Sequence, residues 1–358
     1  MDIQLLELSG GQPGHDCVIL ALRTGDGIMG LGEIALSSGM AMASALQLVQ
    51  AAASRLAATD PRNINVALDA VSSVTDQDAT TGPHVRAAFD SAIHDLNGRL
   101  RGCSVHVMLG GCYRQEIALS QSIPSGASVP LPQETAGTVR LEYRKEPSRH
   151  AQSFGPDSAG GWLAAAIARL GPIVQVDIDA GGLFENPSLA RGFVEGLLQA
   201  CPLINIGLMQ PLADSDFVGH ATLCATLPIP VILDGSVRSP RIMGQIVRLA
   251  AADRVVVNPD RVGGLRAAMQ VVSIAESASI GVSAACHARS AVGAAAMLHL
   301  AAVLHDTFSA RLDLLVPDMA GVADPGFTIA SGIAKMHAAA GLGVELTDEA
   351  IARFQSLT

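Results

Sequence analysis

Three carboxylates stand where a carboxylate is expensive. Asp177 and Asp179 end the apolar run Val174-Gln175-Val176-Asp177-Ile178-Asp179, and Asp234 ends Pro230-Val231-Ile232-Leu233-Asp234. An acid that closes an apolar strand has to be solvated, paired with a cation or bound to a metal. Residues two apart on a strand share a face, so Asp177 and Asp179 point the same way. Oxygen donors of this kind suit a hard divalent cation; the plainer alternative is acids that are solvated or paired with Arg140. Arg140 fits a clamp for a substrate carboxylate or a salt bridge to Asp177 or Glu142. His287 follows another apolar run, 280–285, and titrates near neutral pH. It fits a general base or a hydrogen-bonded rim histidine. Gly263-Gly264 fits an anion cradle at a helix N-terminus or, more simply, a turn. Lysine is scarce: Lys145 and Lys335 are the only two, and Arg144-Lys145-Glu146 reads as a solvated charge run.

The elements that position these residues fall into two blocks. In the first, 17–23 and 28–34 read as strands around Gly25-Asp26-Gly27, a hairpin. Residues 40–57 read as a helix, and 84–100 as an amphipathic helix with Phe89, Ala92, Ile93 and Leu96 on one face. From about residue 115, short apolar runs alternate with helical stretches. The strands are expected at 117–122, 138–143, 173–178, 203–208, 230–234, 254–258, 280–285 and 311–315. Helices are expected at 187–200, 239–250, 263–277 and 290–304. Eight such units predict an α/β fold, a (β/α)8-type barrel, with a doubly wound open sheet as the alternative. No G-x-G-x-x-G opens a helix after the first strand, which counts against a dinucleotide fold. In a barrel, function sits at the C-terminal strand ends, where the three acids are.

Composition narrows the class. Apolar residues make up 49% and charged residues 16% of the 358, so the chain folds around a large core. The net charge of −10 argues against nucleic acid, which demands clustered Lys and Arg. Six cysteines show no C-x-x-C spacing, no apolar stretch reads as a membrane span, and the N-terminus lacks a basic-then-apolar leader. These features predict a reduced, cytoplasmic location.

Several motifs, in order, resemble the enolase superfamily, in its muconate-lactonizing enzyme and mandelate racemase branch. They are Gly27-Ile28-Met29-Gly30-Leu31-Gly32-Glu33, Ala87-Ala88-Phe89-Asp90-Ser91-Ala92-Ile93-His94-Asp95-Leu96, Leu109-Gly110-Gly111, Arg261-Val262-Gly263-Gly264-Leu265 and Gly341-Leu342-Gly343-Val344. The resemblance implies an α+β capping domain, 1–112 plus about 325–358, and a modified TIM barrel, 113–324. It implies specificity loops near 10–16 and 36–44, symmetric homo-oligomers and a small carboxylate as substrate. It also implies Mg2+ held at the ends of the third to fifth strands, with Asp177 and Asp234 as ligands, and bases at the second and sixth. The magnesium would stabilise the enolate left when a base removes the α-proton.

The sequence departs from that pattern repeatedly. Met209 stands at the fourth-strand ligand position, and a thioether is a poor Mg2+ ligand. Asp179 replaces an Asn, and Gly235 replaces a Glu. Arg140 lies at the second-strand lysine position and Asn258 at the sixth; the first is always protonated and the second cannot titrate. Two lysines cannot restore a two-lysine mechanism. The expected function is an isomerase or lyase acting at the α-carbon of a small carboxylate through a non-standard site of Arg140, Asp179, His287 and Asn258. The alternative is an inactive homologue that binds a ligand or partner.

Overall fold

The computed structural model describes residues 2–8, 16–36, 40–129, 138–143, 158–171, 174–201, 205–305, 311–312 and 322–357. Lys145, most of the 10–16 loop and residues 37–39 lie outside the described residues. Strands β1 (Asp2–Leu8), β2 (Cys17–Arg23) and β3 (Met29–Ala35) form an antiparallel sheet, with β2 and β3 as the expected hairpin. Helices α1 (Met42–Leu56), α2 (Ile64–Thr75) and α3 (Gly82–Arg101) follow. On α1 the buried residues Ala45, Val49, Ala52 and Leu56 recur at helical spacing, which makes one apolar stripe. Helix α3 ends at Gly102 in a left-handed cap. It lies directly on β3: a Cβ at Gly30 or Gly32 would overlap the carbonyls of Ala92 and Ala88. That close approach is the physical reason for the two glycines.

After the short α4 (Val105–Met108), the stretch expected as one strand divides in two. β4 (Glu116–Ala118) leaves the barrel, and β5 (Gln121–Ile123) begins it. The barrel continues through β6 (Val139–Glu142), α5 (Ala159–Leu170), β7 (Gln175–Asp179), α6 (Pro187–Ala200), β8 (Asn205–Met209), α7 (Phe217–Thr226) and β9 (Val231–Leu233). It goes on with α8 (Pro240–Leu249), β10 (Arg254–Val257), α9 (Pro259–Val262), α10 (Leu265–Ser277), β11 (Gly281–Cys286), α11 (Ala291–Ala302) and β12 (Arg311–Leu312). Residues 313–315 of the last expected strand lie outside the described residues. Strands β5 to β12 pair in sequence order, and each described pair is parallel. This is the (β/α)8-type barrel expected from the repeat. β13 (Ala323–Asp324), β14 (Phe327–Ala330), β15 (Ile333–Met336), β16 (Glu345–Leu346), α12 (Asp348–Ala352) and β17 (Gln355–Ser356) complete the chain. β15 pairs with β4, and β17 returns to pair with β1.

Register tells which side chains face the barrel interior, because parallel partners share a face. Ser122, Arg140, Asp177 and Gly207 are successive partners across β5 to β8. One step higher, Glu142, Asp179, Met209, Ile232 and Arg254 are successive partners across β6 to β10. The opposite faces carry Val176, Ile178, Leu208 and Val231, which pack outward with Leu163, Ile167, Phe193 and Leu197 of α5 and α6. Apolar helices thus cover the outside of the strands, and the interior is left to the polar set.

Candidate active site

The interior face is charged on one side and apolar on the other. Met209, Ile232, Val256 and Ala285, from β8 to β11, form a small buried cluster of their own. Met209 therefore fills its position as an apolar side chain and contributes no charge. Facing this cluster are Arg140, Asp177 and Asp179, all buried.

Each of the three acids holds an arginine. Asp177 Oδ1 accepts from Arg254 Nη2 at 2.5 Å and from Gln175 Nε2 at 3.0 Å. Arg254 reaches it across Gly207, where a Cβ would meet the guanidinium. Asp179 Oδ2 accepts from Arg140 Nη2, and its Oδ1 from the Gly181 amide at 3.0 Å. Arg261 Nη1 donates to both Oδ1 and the carbonyl oxygen of Asp234, each at 2.6 Å. Arg140 thus clamps Asp179, a partner other than the Asp177 or Glu142 considered from sequence. Glycine at 235 also has a reason: Asp214, itself paired with Arg238 at 2.6 Å, comes so close that a Cβ at 235 would lie 2.5 Å from its Oδ1.

Gln210 braces the strand ends. Its backbone is left-handed, with φ 43°. Its Oε1 accepts from the Asp234 amide at 3.1 Å, and its Nε2 donates to Ser236 Oγ at 2.9 Å. Asn258 is buried and acts locally: its Oδ1 accepts from the Asp260 amide at 2.9 Å and caps α9.

His287 lies just past β11, in a second charged group. Its neighbours by charge are Asp260 and His84. Burial pushes the Asp260 carboxyl up, against the lowering charges of His84, His287, Arg261 and Arg289. Burial pushes His84 down. Glu33 of β3 accepts from the Arg289 amide at 2.8 Å and from Ser290 Oγ. Its burial raises its carboxyl to about 7.

The structure therefore gathers Arg140, Asp177 and Asp179 on neighbouring strands, with Asp234 one strand beyond Met209. It puts His287 and Asn258 around α9. Arg254, Asp260, Glu33, His84 and Arg289 were not singled out from sequence. Arg254 did carry a signal, since a charge opening the run Arg254-Val255-Val256-Val257 is as costly as an acid closing one.

The donor set does not fit Mg2+. Asp177 and Asp234 already accept from guanidinium groups, and the position between them in strand order is a buried thioether. Among the described residues, no three His, Cys, Asp or Glu side chains are placed to hold a metal. No helix among them is long and apolar enough to cross a membrane.

Comparison with known proteins places this architecture. Residues 157–350 match the Enolase C-terminal domain-like family model, and residues 11–110 match the mandelate racemase / muconate lactonizing enzyme N-terminal domain. The chain is 28% identical over 232 residues to muconate cycloisomerase 1 of Rhodococcus opacus, a match covering 60% of this chain and 57% of that enzyme. It is 23% identical over 289 residues to the N-succinyl-L-Arg/Lys racemase of Bacillus cereus, covering 79% and 76%. The solved muconate cycloisomerase of Pseudomonas fluorescens has the same fold, with TM-score 0.81 at 21% identity over 100% of this chain and 98% of that one. With both of its domains matched and its barrel ordered as theirs, the chain belongs to the muconate-lactonizing enzyme and mandelate racemase branch of the enolase superfamily.

Proposed function

We propose that the protein is an isomerase or lyase acting at the α-carbon of a small carboxylate, with arginines in the electrostatic role that Mg2+ fills in most of the superfamily. The observation that carries this reading is the set of three arginine–carboxylate pairs on the strand-end residues: Arg254–Asp177, Arg140–Asp179 and Arg261–Asp234. A guanidinium fixed in a low-dielectric site opposes developing negative charge without reorganising. His287 is the group that takes the α-proton, and the electron pair of the broken C–H bond remains on the enolate. Return of a proton to the opposite face of the same carbon inverts it; loss of a β-substituent gives elimination. Asn258 acts as a positioning residue by capping α9, which carries Asp260 and Arg261.

The test is proton exchange. Protein treated with a chelator is incubated in deuterated water with amino acids, N-succinylamino acids, hydroxy acids and sugar acids, and α-deuteration is read by NMR. Exchange without metal, lost in His287→Asn, is the expected result. Exchange that appears only on adding Mg2+ would overturn the arginine reading. No exchange with any compound would favour a homologue that only binds its ligand.

A further inference from the structure

Three arginines among the described residues are buried: Arg140, Arg254 and Arg289. The first two hold carboxylates. Arg289 holds none. It is 8% exposed, and its Nε and Nη1 are buried without a hydrogen-bond partner. Guanidinium stays charged at any ordinary pH, so it cannot escape the cost of burial by losing a proton.

The surroundings explain why it stays unpaired. Glu33 is close, but its two oxygens are taken by the Arg289 backbone amide and by Ser290 Oγ, which also caps α11. Gly293 makes room for that carboxylate, since a Cβ there would lie 2.7 Å from Glu33 Oε1. Glu33 therefore fixes the backbone of the β11–α11 turn and leaves Nε and Nη1 of Arg289 without a hydrogen-bond partner. The Arg289 amide bonds Glu33 of β3, so the residue sits where the β1–β3 sheet meets the β11–α11 turn of the barrel, and its charge acts on Asp260 of α9. His84, at the start of α3, also acts on Asp260, and its Nδ1 is also buried without a hydrogen-bond partner.

We infer that Arg289 is an anion receptor at the seam of the two domains, which binds the carboxylate of a small organic acid with its unpaired Nε and Nη1. A carboxylate matches the arginine fork in shape and charge, and it would satisfy donors that no side chain of the protein satisfies. The inference rests on the function proposed above only for calling that acid a substrate; binding itself requires no turnover.

The experiment uses the full chain. Thermal unfolding and calorimetric titration are run with sodium succinate, sodium lactate and N-acetyl-L-alanine, against sodium chloride and sodium phosphate at matched ionic strength. At least one carboxylate is expected to raise the melting temperature saturably. Arg289→Met should weaken that binding at least tenfold, yet melt no lower than wild type without the anion, because it removes an unpaired charge. Arg289→Lys keeps the charge and should retain part of the affinity, which controls for a Met variant that fails to fold. Equal stabilisation of Arg289→Met by the carboxylates would overturn the inference. So would response to phosphate alone, response to no anion, or a Met variant that folds but melts lower in chloride. Proton exchange can fail while this binding holds, and the reverse, so the two readings fail separately.

Discussion

The barrel interior and the domain seam solve the same problem in opposite ways. Inside the barrel, each buried charge that reaches a strand end has a partner of opposite sign: Arg254 with Asp177, Arg140 with Asp179. At the seam, burial is left uncompensated. Arg289 Nε and Nη1 have no hydrogen-bond partner, and Glu33 and Asp260 are both pushed up by desolvation. A paired charge contributes a fixed field; an unpaired one awaits something else. The difference divides the site into a rigid electrostatic floor and a receptive rim.

The sharpest way to break this contrast is to unpair the floor. Arg254→Ala should destabilise the protein by about 3–5 kcal/mol in urea unfolding, because Asp177 is left buried alone. Arg254→Met with Asp177→Leu should recover most of the loss. If the single variant costs under about 1 kcal/mol, the pair is solvated in practice and the contrast fails.

Two pH effects come next, and they run against each other. Glu33 has its folded pKa raised from 4.5 to about 7. The folded state thus binds a proton more readily than the unfolded chain, and stability falls as pH rises from about 4.5 through 7. His299 of α11 is the reverse. Burial and the neighbouring His106 lower it from 6.5 to about 4, so stability falls as pH drops from 6.5 through 4. Each effect is on the order of 3 kcal/mol. In the shared window these two slopes oppose each other. Glu33→Gln should expose the His299 slope as a loss of stability toward acid, and His299→Gln should expose the Glu33 slope as a loss toward neutral pH. A variant profile unchanged from the wild type's would show that the seam charges are more solvated than their burial suggests.

The smallest effect concerns Asn258. Its cap on α9 predicts a loss of about 1 kcal/mol for Asn258→Ala and near-full recovery for Asn258→Ser, read by thermal unfolding. If Ser restores stability but not proton exchange, Asn258 does more than position α9.

Much of the fold was legible because the barrel repeats a local pattern. The run Pro230–Asp234 predicts β9 to within a residue, and 187–200 matches α6. The error at 117–122 has a clear cause. β4 is claimed by β15, with Lys335 opposite Glu116, and no local periodicity encodes a partner from the far end of the sequence. The site divides the same way. Acids that close apolar runs announce themselves, so Asp177, Asp179 and Asp234 were found. Their partners did not, because Arg254 arrives three strands later through space left by Gly207. A glycine shows what it permits only once the neighbour that fills the gap is known. Arg289 was hidden for another reason: a missing partner leaves no trace in sequence.

The return of β17 to β1 sets an order of assembly. Gln4 and Ser356 are register partners, so the outer edge of the first sheet is finished by almost the last residues of the chain. Loop closure over that distance is entropically slow compared with the local hairpin β2–β3 or any single βα unit. On the ribosome, β1 therefore emerges early and waits with an open edge while the whole barrel is made. Sealing that edge waits on residues 355 and 356, and a nascent chain stalled just short of them would present a bare strand to any neighbour able to pair with it.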